Sequence, residues 1–109
     1  MNIFVNTYNI IEGFHRWADA PDDCAYLRAR HRHMFTIRCA FKVTDENREI
    51  EINKCQNEIE SFLGNLFGIP MELGGMSCEH LAHVLMNEYG NLSEVTILED
   101  NYGGATLSR

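Results

Sequence analysis

Two histidines, His31 and His33, stand two residues apart at the head of an apolar-rich segment, and a third, His15, closes the strand-like segment before them. Alternate side chains of a strand share a face, so the rings of His31 and His33 point the same way and lie close together. Neutral imidazole nitrogens are good zinc ligands, and three protein ligands with one position left open are the arrangement of a catalytic zinc. The Arg30-His31-Arg32-His33 run reads equally as a solvated basic patch, and spacing alone leaves both readings open. Cys24, Cys39, Cys55 and Cys78 form no CxxC pair, which argues against a cysteine zinc knuckle or a disulfide scaffold.

The elements that must position these residues follow from hydrophobic period. Residues 2–12 read as a strand and 18–23, with Pro21 and its aspartates, as a loop. Over 32–43, Phe35, Ile37, Cys39, Phe41 and Val43 alternate with polar neighbours, and His33 is in phase with that apolar face. A turn at 45–47 and a short strand at 48–53, alternating Ile50 and Ile52, complete an expected hairpin. The period then changes. Ile59, Phe62, Leu63 and Leu66 predict a helix over 54–66, and 68–75, with Pro70 and a Gly-Gly pair, is a connection. Ser77 is the expected N-cap of a helix over 78–89, with Glu79 in its first turn. Val95, Ile97 and Glu99 share one strand face, 101–104 is a turn, and 105–107 is a short last strand. The order predicts one α+β domain over 1–109, with helices on one side of an antiparallel sheet. Such a sheet leaves edges bare, so pairing of sheets between subunits is expected.

The 109 residues carry a formal charge of −7, which argues against broad nucleic-acid affinity. Arg28, Arg30, Arg32 and Arg38 nonetheless gather near the histidines, a local positive region suited to a small anionic substrate. No apolar run approaches the roughly 18 residues of a membrane span, and no basic-then-apolar leader opens the sequence, so a cytoplasmic location is expected.

Four segments in order resemble the 6-pyruvoyl- and 6-carboxy-tetrahydropterin synthase family. Phe14-His15-Arg16-Trp17 resembles its Ala-His-Arg-Leu strand end, and Arg30-His31-Arg32-His33 resembles its Leu-His-Gly-His motif. Met76 through Ala82 resembles its Pro-Thr-x-Glu-Asn-Leu-Ala helix cap, and Glu99-Asp100 its Glu-Thr strand end. The resemblance implies Zn2+ held by His15, His31 and His33, with Glu99 and Ser77 in substrate binding. A carboxylate such as Glu99 accepts two parallel hydrogen bonds from the N–H edge of a guanine-like ring. It also implies a tunnelling fold: a four-stranded antiparallel sheet with two helices on one side, closing with other subunits into a barrel as a trimer or hexamer. The implied activity is that of a lyase acting on dihydroneopterin triphosphate or a related pterin.

The pattern also breaks. The family's catalytic cysteine falls here on Leu27, and Cys24 is the nearest thiol, either a base or nucleophile or an ordinary buried cysteine. Between Phe62 and Ser77 there is no histidine or aspartate to match the family's proton-transferring Asp-His pair. His80 is the substitute candidate. His83 reads as a surface residue, and Glu12 and Asp100 are the remaining carboxylates near the motifs. Binding groups kept without proton-moving groups suit three functions: an altered lyase, a non-catalytic pterin- or purine-binding oligomer, or an oligomer retaining zinc for structure alone.

Overall fold

A computed structural model describes residues 1–109 and shows an α+β domain. Strand β1 (Ile3–His15) runs antiparallel to β2 (His31–Val43), joined through a 3-10 segment at Asp22–Leu27. Helix α1 (Ile52–Phe67), the two-residue strand β3 (Met71–Glu72), helix α2 (Cys78–Glu88), β4 (Leu92–Glu99) and β5 (Gly103–Ser108) follow. The strands are ordered β3-β1-β2-β4-β5.

Two expectations are corrected here. The sheet has five strands and is mixed, because Met71–Glu72, expected in a connection, pairs parallel to Gly13 and Phe14. Residues 48–53 form no strand. Arg48 turns left-handed (φ 57°), and the Glu51 carboxylate accepts from the Lys54 backbone N–H at 2.7 Å, capping a helix that starts at Ile52. Satisfying the open N–H groups of a first helical turn stabilises the helix where two isoleucines two apart fit a strand equally well. The long hairpin is therefore β1 with β2.

Period-2 alternation sorts β2. Phe35, Ile37, Cys39 and Phe41 point to one face and pack with Ile59 and Leu63 of α1, Leu81 and Leu85 of α2, and Val95 and Ile97 of β4, all buried. Gln56 pins α1 to the sheet: its side-chain carbonyl accepts from Tyr8 N at 3.0 Å, and its backbone carbonyl accepts from Asn9 Nδ2 at 2.9 Å. The opposite sheet face has no helix over it, and Phe4, Tyr8 and Ile10 stand there 45%, 55% and 63% exposed. No helix is long and apolar enough to cross a membrane.

Gly13 lies opposite His33 in the β1–β2 ladder. A Cβ there would meet Phe35 Cε2 at 2.9 Å and Met71 Cβ at 3.3 Å, so only glycine lets Phe35 lie flat against β1 and β3. Phe35 in turn meets the rings of His15 and His33 edge-on, with centroids at 5.4 and 5.6 Å. The core ends where the histidines begin.

Candidate metal centre

Three adjacent strands bring their ends to one corner. His15, the last residue of β1, pairs with His31, the first of β2, and Glu99, the last of β4, pairs with Phe35. Alternation then puts His15, His31, His33 and Glu99 on the same, helix-bearing face. One ligand atom from each of the four lies within 4.8 Å of the others.

The outer nitrogen of each ring is committed. His15 Nδ1 lies 2.9 Å from the Met76 carbonyl, His31 Nδ1 2.9 Å from the Ala29 carbonyl, and His33 Nδ1 2.7 Å from Asp100 Oδ2. These partners only accept, so each Nδ1 donates its hydrogen and each Nε2 faces inward, where a neutral ring carries its lone pair. Glu99 Oε2 sits 2.8 Å from His15 Nε2 and 3.1 Å from His33 Nε2. His33 Nε2 is buried and off the line of any hydrogen bond. Lone pairs and a carboxylate facing one another at this range repel unless a positive charge lies among them. A proton on one ring would supply it for that ring's contact with Glu99, but protonating all three rings, with centroids 4.6–5.1 Å apart, would make them repel one another. One divalent cation satisfies all four groups, and imidazole with carboxylate suits a borderline transition metal. The donor set fits a metal ion.

His15, His31 and Glu99 also line a cleft of about 490 Å³, within the range of small-ligand sites. Its other walls include Arg16, Trp17, Leu27, Ser77, Cys78 and Glu79. Backbone bonds from Arg16 N to Gly74 O (2.9 Å) and from Trp17 N to Leu27 O (2.8 Å) tie the wall together.

The predicted site residues divide sharply. The three histidines and Glu99 come together. Ser77 lines the cleft, and its hydroxyl accepts from His80 N at 3.1 Å as the cap of α2. Cys24 does not line the cleft; its thiol leans on Asp23 Oδ1 at 3.6 Å, and Leu27 occupies the wall instead. His80 is exposed and outside the cleft, and His83 is exposed as expected. The expected positive region is neutralised: Arg28 pairs with Asp22, Arg30 with Glu72, Arg32 with Glu12 and Arg38 with Glu94. Arg16, which forms no such pair, is the cation that faces the cleft.

Sequence reasoning assigned no role to Cys78 or to the contact between Asp100 and His33. Burial, reinforced by the negative charges of Glu99 and Glu79, pushes the Cys78 thiol up to about 12. The hydrogen bonds from His33 and from the Met34 backbone hold the Asp100 carboxyl below its usual range. The chain matches no protein-family model, and no curated protein matches it.

Proposed function

We propose that the chain is a zinc protein of tetrahydropterin-synthase type that takes a pterin- or purine-like ligand into the cleft beside the metal. Its activity on this reading is lyase chemistry of the 6-carboxy- or 6-pyruvoyl-tetrahydropterin synthase kind, on dihydroneopterin triphosphate or a related pterin in the cytoplasm. The observation that carries the reading is the convergence of three Nδ1-anchored imidazoles and Glu99 on a cleft of ligand size. When bound, zinc polarises the hydroxyl and carbonyl oxygens of a ligand side chain and makes the adjacent C–H more acidic. Arg16 offers a charge to an anionic group, and Glu79 is a second carboxylate in the cleft. Because Glu99 Oε2 faces two rings, ring anchoring and metal ligation are alternative uses of that side chain.

The assembly on this reading is a tunnelling fold, closed as a trimer or hexamer. Its supports are a helix-free sheet face bearing Phe4, Tyr8 and Ile10 and the edge of β1, which β3 covers only at Gly13 and Phe14. Light scattering should give a mass of three or six chains; a monomer at micromolar concentration would exclude the barrel.

A second reading, a non-catalytic pterin or purine binder, is favoured by Leu27 standing in the cleft wall while Cys24 and His80 lie outside it. Incubation with dihydroneopterin triphosphate and zinc, followed by product analysis, separates the two. A tetrahydropterin product supports the lyase. Binding without product, lost in Glu99→Ala, leaves the binder standing and removes the lyase. Zinc without any ligand binding leaves a structural metal alone.

A further inference from the structure

We propose that Asp100 is a positioning residue of the metal centre, holding His33 in the one tautomer and orientation that present Nε2 to a metal. The inference rests on reading the cluster as a metal site and goes beyond its ligands. In an extended strand residues 99 and 100 would point to opposite faces. Here Asp100 turns left-handed (φ 54°), and so does Asn101 (φ 56°). The two neighbouring carboxylates thereby reach opposite nitrogens of one ring, with Glu99 Oε2 3.1 Å from His33 Nε2 and Asp100 Oδ2 2.7 Å from His33 Nδ1.

Asp100 is itself tied to β2 at Met34. Its Oδ1 accepts from Met34 N at 2.8 Å, and its own N–H donates to the Met34 carbonyl at 2.8 Å. One residue on, Asn101 Oδ1 accepts from the Thr36 hydroxyl at 2.7 Å. The carboxylate therefore has little freedom to leave the ring. The other two histidines rest their Nδ1 atoms on backbone carbonyls, and only His33 rests on a charged acceptor. A carboxylate partner makes the far nitrogen a stronger donor to a metal and fixes the ring plane.

The test measures zinc affinity of the full chain by competition with a chromophoric chelator, together with the tautomer of His33 from its ring nitrogen shifts without metal. Asp100→Gly removes the carboxylate but keeps a residue at ease with positive φ, and Asp100→Asn keeps the turn and an acceptor without the charge. Asp100→Gly should bind zinc about 10–100-fold more weakly and lose the fixed Nδ1–H tautomer. Asp100→Asn should fall between it and the parent. Parental affinity and tautomer in Asp100→Gly, with only a lowered unfolding midpoint, would overturn the proposal and make Asp100 a turn residue. If the parent itself binds no zinc, the metal reading fails, and the tautomer shift alone decides whether Asp100 holds His33.

Discussion

One face of β2 carries Phe35 to Phe41 in its middle and His31 and His33 at its start, and the two halves meet different neighbours. Over the middle lie α1 and α2, and every side chain finds apolar contact. At the start lie Glu99, Asp100 and the cleft, which α2 borders only with its first turn. The buried half gains stability from apolar area removed from water. The corner collects imidazole nitrogens and carboxylates in an arrangement that could hold a cation. Pattern alone does not separate the halves, since both run odd-numbered along one strand. What covers the face decides which becomes core and which becomes site.

The sharpest way to break this comparison is to damage each half separately. Leu85→Ala, in the fully buried layer of α2, should cost about 2–5 kcal/mol in urea unfolding of the metal-free chain. Zinc affinity of the folded variant should stay at the parental value; a large loss would mean that the halves are not separable. His31→Ala is the converse. It should abolish stoichiometric zinc and, with it, the stabilisation that zinc gives the parent, about 2.7 kcal/mol at a hundredfold excess over Kd. Stoichiometric zinc in that variant would refute the ligand assignment. Gly13→Ala attacks the seam, where the new methyl meets Phe35. It should cost about 1–3 kcal/mol and weaken zinc binding together, because Phe35 backs two of the histidine rings.

The smallest effect lies far from the seam. Hydrogen bonds from the Lys54 and Asn53 backbones hold the Glu51 carboxyl below its usual range. Its contribution is present above the ordinary carboxylate value and is lost as pH falls through the lowered one. Glu51→Gln should therefore unfold slightly earlier than the parent at neutral pH, and the gap should close in acid. A gap that widens in acid would show that Glu51 does not cap α1.

Much of this corner was legible because it depends on period 2. His31 and His33 share a phase with the apolar face of β2, and Glu99 with that of β4. β1 carries apolar residues on both faces, so the side His15 takes and its union with Glu99 were visible only through the family resemblance. Asp100 was not legible as a partner of His33, since the same alternation sends it to the opposite face and only a left-handed turn returns it. The arginines were visible as charge, but Glu72 lies 42 residues from Arg30 and Glu12 lies 20 from Arg32, and the fold alone makes those pairs. β3 is two residues long, too short for any period to show. The strand expected at 48–53 failed for a related reason: Ile50 and Ile52 fit either structure, and the Glu51 cap decided between them.

The left-handed turn at Asp100 also has a consequence for how the corner is assembled. The three histidines lie in the first hairpin, whereas Glu99 and Asp100 follow only after both helices. A chain interrupted before β4 would own three imidazoles with no carboxylate between them and no hold on His33. On the metal reading, the complete donor set exists only once β4 has paired with β2, so the site is formed by the docking of elements far apart in sequence.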